Sequence, residues 1–175
     1  MTGKKQPAAA DALSARTAAR LAAVQALYQM DLAGTDINDV IAEFVSQRMD
    51  PEAAAAEDVP AEDAASHVDL SGADKQFFAN ILRAVVRRQR EIDPMIDHQL
   101  AEGWRLVRVD SILRAVLRAG VSELVDRADV PVRVVINEYI NVARFFFSED
   151  EPRVVNGVLD KIARKVRASE FEGKR

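Results

Sequence analysis

The sequence contains no cysteine, one tryptophan and two histidines, and it has no long run of apolar residues. Without cysteine, neither disulfide bonds nor thiolate metal sites can stabilise the fold, a composition that fits a reducing, cytoplasmic location. No apolar stretch approaches the roughly 20 residues that a membrane-spanning helix needs. His67 and His98 have no metal-ligand spacing, so we expect both to be surface residues. With 49% hydrophobic residues, the 175-residue chain can still form one globular domain.

Motifs that carry catalysis are also missing. The chain has no Gly-x-Ser-x-Gly turn, no Gly-x-Gly-x-x-Gly cofactor loop and no phosphate-cradling loop. The adjacent acids Glu149, Asp150 and Glu151 could serve acid–base chemistry or a metal, but they directly precede Pro152 at a predicted helix start. Acids are favoured there by the helix dipole, so we predict a capping role and leave a ligand contact by one of them open. The sequence therefore predicts a protein that is not an enzyme and needs no cofactor or metal.

The net charge of −4 hides two basic ends. Residues 49–70 contain seven acids and no Lys or Arg, and without these acids the net charge changes from −4 to +3. Residues 1–20 carry four bases and one acid, and residues 161–175 carry six bases and two acids. Because phosphate contacts need Lys and Arg, the two ends are the regions of the chain that favour nucleic-acid binding.

Apolar residues recur at helical spacing in nearly every segment outside residues 49–70, and no stretch alternates long enough to indicate a strand. We predict an all-α, compact bundle of about seven helices. They occupy residues 14–32 with Gly34 as the stop, a segment from Thr35 or Asp36, one after the cap Ser71-Gly72-Ala73-Asp74, a short one capped by Asp93, residues 110–125, and two opened by Pro131 and Pro152. A flexible basic arm, residues 1–13, precedes the helical domain of residues 14–168, and a tail, residues 169–175, follows it.

Residues 49–70 combine two prolines, many acids and almost no large apolar side chains. Such a segment buries too little to compensate for the entropy of ordering it. We predict a mobile acidic loop.

The basic residues near the start of the chain are candidates for RNA contacts. Arg16 and Arg20 are four residues apart on one side of the first helix, and Lys4 and Lys5 precede them. This arrangement could follow an RNA backbone, and it could equally be a solvated helix terminus. Arg153 and the basic tail could extend the same surface or only aid solubility; the tail bases are Lys161, Arg164, Lys165 and Arg167.

Other side chains are expected to serve the fold. Arg118 and Glu138 each lie beside an apolar stripe on separate helices, so we predict a structural ion pair between them. Asn156 and Gly157 interrupt the stripe of the last helix, and their small size would suit close approach of a neighbouring helix. The rings of Phe145-Phe146-Phe147 cannot all face one core, so at least one is expected to be available for base stacking or a partner.

Several segments, taken in order, match the signatures of one known family. The first helix reads Val24-Gln25-Ala26-Leu27-Tyr28, which resembles a signature of the NusB family of bacterial antitermination factors. Further matches cover the chain to about Arg167: Leu113-Arg114-Ala115-Val116-Leu117-Arg118, Ser122-Glu123-Leu124, Asp129-Val130-Pro131, Ile136-Asn137-Glu138 and Val154-Val155-Asn156-Gly157-Val158-Leu159-Asp160-Lys161.

This resemblance implies two stacked helical subdomains and a function. Family members bind the boxA element of nascent RNA jointly with the ribosomal protein NusE, in a complex with NusA, NusG and RNA polymerase that suppresses termination during ribosomal RNA synthesis. By position, the resemblance assigns Arg16 and Arg20 to an Arg-rich RNA-binding segment. It assigns three residues at the start of the last helix to a second RNA region, which we expect to face the first helix: Asp150, Arg153 and Val154.

The resemblance also assigns Tyr28 to the NusE-binding surface. Leu113 stands where the family has an acidic NusE contact, so the nearby Asp110 is expected to serve instead. The Arg-rich segment is thinned, with Thr17, Ala18 and Ala19 between its two arginines.

Two alternatives come from other classes. The first is a helical protein-interaction module without RNA binding, which the thinned arginines keep open. The second is the NusB-like domain of an RNA methyltransferase, which would need a further domain with a Gly-rich cofactor loop after a strand. The length of the chain and the absence of strand patterns argue against that enzyme.

Overall fold

The computed structural model describes residues 13–56 and 68–173, and every regular element within these ranges is helical. The α-helices are α1 Ala15–Ala33, α2 Ile37–Glu43, α3 Pro51–Ala56, α4 Lys75–Asp97, α5 Ser111–Asp126, α6 Val132–Phe146, α7 Glu151–Val166 and α8 Ser169–Glu172. A π-helical turn, Phe44–Arg48, extends α2, and a 3₁₀ turn, Leu106–Arg108, precedes α5. The predicted all-helical class is confirmed.

Both ends of α1 are fixed by local hydrogen bonds. The Ser14 hydroxyl accepts from the backbone N of Thr17 at 3.1 Å, and Gly34 donates to the carbonyl of Met30 at 2.9 Å. Gly34 has φ 63°, a left-handed conformation that glycine adopts at little cost. α1 is buried over much of its circumference, and small side chains let its neighbours approach closely: Ala18, Ala19, Ala22, Ala23 and Ala26.

Helical structure continues into part of the segment predicted as a mobile loop. Met49 is fully buried in the core, and the Asp50 carboxylate accepts from the backbone N of Glu52 and of Ala53 at 3.0 Å, which starts α3. The loop prediction is therefore wrong for residues 49–56, because one buried methionine and one cap order this short stretch. Residues 57–67 lie outside the described residues.

α4 runs without a break to Asp97, so the separate helix predicted after Asp93 is wrong. Pro94 lies in the last turn of α4, where its missing N–H removes a single backbone hydrogen bond. Ile92 and Ile96 on either side are both fully buried, and this burial favours continuing the helix. At the other end, the cap lies within the predicted motif Ser71-Gly72-Ala73-Asp74, but it is Asp74 and not Ser71, since the Asp74 carboxylate accepts from the backbone N of Phe77 at 2.9 Å.

α5 is the central helix and packs against α1, α4, α6 and α7. Its close approach to α7 depends on Gly120, where an added Cβ would lie 2.9 Å from Leu159 Cδ1. Gly157 on α7 is exposed, with no atom within 4 Å of an added Cβ. The predicted role of Asn156 and Gly157 in helix approach is therefore wrong, because both face away from the neighbouring helices.

The segment after α7 is attached to the bundle. Arg167 donates to the carbonyls of Leu124, Arg127, Ala128 and Val130, and it pairs with Glu170 on α8. Glu170 in turn accepts from the backbone N of Val132 at 2.9 Å, at the start of α6. These bonds make residues 169–172 part of the helical body, whereas the sequence predicts a tail from residue 169.

Candidate nucleic-acid interface

The start of α1 presents one exposed arginine. Arg16 is exposed, its guanidinium carbon lies 4.8 Å from the centroid of the Phe77 ring, and it pairs with no carboxylate of the described residues. An aromatic face attracts a cation without neutralising its charge, so Arg16 remains able to bind a phosphate. Lys4 and Lys5, the other predicted contacts of this region, lie outside the described residues.

Arg20 follows one turn later and has a different environment. It is only 3% exposed, and its Nε and Nη2 donate to both oxygens of Glu123 on α5 at 2.5 to 3.2 Å. Its Nη1 lies 3.1 Å from the carboxylate of Glu138 on α6. In this structure α5 and α6 cover the Arg20 guanidinium and two carboxylates already neutralise it, which argues against an RNA contact, and the assignment of Arg20 to RNA stays a prediction.

The surroundings of Arg20 form a buried ionic cluster at the meeting point of three helices. Burial lowers the pKa of Arg20, but the hydrogen bond and the charge of Glu123 outweigh it and raise that pKa above its ordinary value. Burial, and then the negative charge of Glu123, raise the pKa of the neighbouring Tyr139 well above its usual range. Arg20 therefore stays charged and Tyr139 neutral at any physiological pH, which suits a structural cluster.

The predicted ion pair between Arg118 and Glu138 is absent. Arg118 binds both oxygens of Asp93 on α4 at 2.9 Å and lies 3.9 Å from Asp31 on α1. Glu138 instead accepts from the Thr17 hydroxyl at 2.8 Å and pairs with Arg20. Each charge does have a partner, as its position beside an apolar stripe requires, but α5 turns Arg118 towards α4 and away from α6.

The second predicted RNA region lies at the start of α7. Arg153 is exposed and makes no ion pair with the described residues, while Val154 packs partly against the core. The carbonyl of Asp150 accepts from the backbone N of both residues, but the Asp150 carboxylate caps no backbone N–H. This carboxylate is exposed and so remains available to accept a hydrogen bond from a ligand.

A cleft of about 470 Å³ lies between the beginnings of α5 and α7, and we call it the α5–α7 cleft. Its lining includes Trp104, Arg105, Arg108, Asp110, Asp150 and Val154. Residues predicted for RNA and for a protein partner thus meet in one place. Asp110 also caps α5 through the backbone N of Ile112 and Leu113, and Leu113 is only 3% exposed, too little for an extensive partner contact.

Tyr28 lines a different cleft, of about 490 Å³, together with Leu32, Phe44 and Phe146. Its assignment to a partner surface stays a prediction, but the half-exposed ring and the exposed Leu32 give this face an apolar character. Phe145 is 47% exposed, in agreement with the expectation that one of the three phenylalanine rings is available.

The two predicted RNA regions lie at opposite ends of α5. Arg16 and Arg127 both contact Phe77, so the start of α1 is beside the end of α5. Asp150 lies by Asp110, at the beginning of α5. α5 has 16 residues, which corresponds to about 24 Å. The expectation that Asp150 and Arg153 face the basic start of α1 is therefore wrong, and an RNA that touches both regions must be several nucleotides long.

Sequence reasoning missed the contribution of Trp104, Arg105 and Arg108. They belong to the connection between α4 and α5, which has no apolar periodicity to mark it. A signal was nevertheless present, because the chain's single tryptophan adjoins arginines just before the helix cap Asp110. Within residues 13–56 and 68–173 no cluster of metal-ligating side chains occurs, and no helix is long and apolar enough to cross a membrane.

Comparisons with known proteins relate the chain to one family. The model of the NusB family matches residues 17–164. The transcription antitermination protein NusB of Rhodopseudomonas palustris strain TIE-1 is 52% identical over 156 residues, which is 89% of this chain and 83% of that protein. The protein of the same name from Nitrobacter hamburgensis is 51% identical over 89% of this chain and 90% of its own length.

Two solved structures show the same fold. NusB from T. maritima superposes with a TM-score of 0.69 at 26% identity, covering 91% of this chain and 99% of that one. A crystal structure of the antitermination factors NusB and NusE in complex with double-stranded RNA matches with a TM-score of 0.64 at 25% identity. That match covers 85% of this chain and 96% of the other.

Proposed function

This chain belongs to the NusB family, and on that premise we propose that it is a transcription antitermination factor that binds boxA RNA together with the ribosomal protein NusE. The similarity to a NusB that has been crystallised with NusE and RNA supports both partners. The same premise supports a place in the antitermination complex with NusA, NusG and RNA polymerase, and hence a cytoplasmic location. In this role the protein performs no chemistry and acts by holding RNA and protein together.

The exposed, unpaired arginines carry this proposal. Arg16 at the start of α1 and Arg153 at the start of α7 are both exposed, and neither pairs with a carboxylate among the described residues. About half of the described arginines are engaged in ion pairs, for example Arg20, Arg114 and Arg118. Unpaired arginines are the ones that can neutralise phosphates and release counterions. Asp150 and Val154 beside Arg153 then face the nucleotides that these phosphates join.

The burial of Arg20 is the observation that favours a second candidate function, a protein-interaction module that does not bind RNA. With Arg20 enclosed, the described part of the Arg-rich segment offers RNA only Arg16. The apolar face around Tyr28 and Leu32 could bind a protein partner on its own. The two functions differ in whether RNA sequence affects binding once NusE is present.

A fluorescence anisotropy titration separates the two functions. Labelled boxA RNA and a scrambled RNA of equal length are titrated with the full chain, alone and with saturating NusE, at one fixed salt concentration. The antitermination role predicts a clear preference for boxA that is strengthened by NusE. Normal binding of NusE with equal affinity for both RNAs would instead support the interaction module.

A further inference from the structure

The most exposed aromatic surface beside the second RNA region belongs to Trp104, the only tryptophan of the chain. Its side chain and backbone are 54% exposed in a residue type that usually buries its large indole. Exposing the apolar indole to water is unfavourable, and a partner that stacks on the ring removes this exposure. On an RNA, the partner for such a ring is an unpaired base.

The backbone holds Trp104 in this exposed position. Its N–H donates to the carbonyl of Ala101 at 2.9 Å, and the preceding Gly103 has φ 85°, which completes a tight turn. The connection is also anchored two residues after Trp104. The backbone N of Leu106 donates to the Asp97 carboxylate at 2.7 Å, and the Leu106 side chain is buried. Leu106 takes the core position of this connection, so the indole remains on the wall of the α5–α7 cleft.

The charged side chains that line the cleft are two arginines and three acids: Arg105, Arg108, Asp110, Asp150 and Glu151. Arg105 and Arg108 are exposed and pair with no carboxylate of the described residues, so they can bind phosphates. The Asp150 carboxylate on the opposite wall would repel a phosphate, but it can accept a hydrogen bond from the exocyclic amine of a cytosine or an adenine. Phosphate, π-face and amine are the three groups that one nucleotide presents together.

We propose that Trp104 stacks on an unpaired base of the bound RNA, with Arg105 and Arg108 on its flanking phosphates and Asp150 on the base edge. This inference rests on the proposed function and assigns the α5–α7 cleft as a base-binding pocket. A volume of about 470 Å³ lies within the range of pockets that enclose small ligands. The preferred bases are those that carry an amine on the edge facing Asp150.

The single tryptophan makes the pocket directly observable. In the full chain bound to NusE, with the emission of NusE subtracted, addition of boxA RNA should quench Trp104 fluorescence in step with the anisotropy of the labelled RNA. Trp104→Ala should weaken RNA binding about 5- to 150-fold, the loss expected for one stacked base. Trp104→Phe should retain most of the affinity. Val107→Ala is the matched control, since Val107 is exposed on the same connection but does not line the cleft.

Each outcome of the experiment decides the proposal. Quenching together with the Ala and Phe results supports it. RNA binding without quenching and with unchanged affinity of Trp104→Ala overturns it and leaves the antitermination role intact. If RNA does not bind even with NusE, both proposals fail. If NusE alone changes the emission and Trp104→Ala weakens only NusE binding, the cleft is a protein site and the proposal is overturned.

Discussion

Replacing Arg20 by Ala removes the only cation within hydrogen-bonding distance of Glu123 among the described residues. The Glu123 side chain is fully buried, and the substitution would remove the cation that it binds. Removing one member of a buried ion pair typically costs 3–5 kcal/mol, well above the net value of the pair itself. The free energy of unfolding of an ordinary domain is roughly 5–15 kcal/mol, so Arg20→Ala should remove a large part of it.

Arg16→Ala is the matched control for this substitution, four residues earlier on the same helix. Arg16 is exposed. It contacts the face of Phe77, which is worth about 0.5–1 kcal/mol at an exposed site, and its charge acts on the exposed Asp129 without an ion pair. The double variant Arg20→Met with Glu123→Leu should recover much of the lost stability, since apolar residues of similar volume often replace a buried ion pair without cost.

Urea unfolding followed by circular dichroism measures all three variants. With an m-value of about 1–3 kcal/mol per molar urea, Arg20→Ala should lower the unfolding midpoint by about 1 M or more, and Arg16→Ala should change it little. If Arg20→Ala unfolds within about 1 kcal/mol of the unmodified protein, the ionic cluster does not stabilise the fold as argued here. In that case Arg20 would again be a candidate RNA contact.

Two other substitutions test separate parts of the fold. Gly157→Ala should stabilise the protein by about 0.5–1 kcal/mol, because alanine favours a helix interior and nothing lies within 4 Å of the added methyl group. Gly120→Ala should not stabilise the protein in this way, because its added methyl group would lie too close to the Leu159 side chain. Equal changes of the melting temperature in the two variants would contradict the view that only Gly120 is needed for helix packing. Glu170 accepts from the backbone N of Val132 and binds Arg167, and these contacts hold its pKa below the ordinary 4.5. Its folded-state pKa is thus the lower one, so its carboxylate stabilises the fold above about pH 4.5, and this contribution is lost as the pH falls through the folded-state pKa. Urea midpoints of the unmodified protein and Glu170→Gln should differ at neutral pH and converge in acid, and a constant difference would refute the assignment.

Features set by neighbouring residues were predictable from the sequence. The stop at Gly34 and Asp36, one of the two caps offered for α2, were located correctly, because a cap needs only its own side chain and the first turn of the helix. For α4 the capping motif was found, but its last residue, Asp74, is the cap and not its first, Ser71. The helix break at Asp93 was predicted wrongly for a related reason. A proline lowers the local preference for helix, but the burial of Ile92 and Ile96 by other helices outweighs it.

Features set by tertiary contacts were not predictable in the same way. Arg16 and Arg20 have the same spacing and chemistry in the sequence, and only Glu123, 103 residues away from Arg20, makes one structural and leaves the other exposed. Arg118 and Glu138 were each expected to need a partner, and each has one. Which helix supplies that partner depends on the rotation of α5, which no periodicity reveals.

The candidate site also combines residues that the sequence identified with residues that only tertiary contacts bring together. Asp150 and Val154 were identified through the family resemblance, and their position at the start of α7 is confirmed. Trp104 joins them only because the connection between α4 and α5 folds back beside α7. The separation of the two RNA regions by the length of α5, about 24 Å, likewise follows from the antiparallel packing of α1 and α5.

The salt dependence of boxA binding tests most directly the claim that RNA is held by unpaired arginines at both ends of α5. Binding of boxA RNA to the complex with NusE is measured over a range of salt concentrations for the unmodified chain, Arg16→Ala, Arg153→Ala and the double variant. Arg90→Ala is the control, because Arg90 is exposed on α4 outside both regions. Each single variant should reduce the slope of log K against log salt by about 0.7, and the double variant by about twice that. Slopes that match the unmodified chain in all three variants would contradict the account.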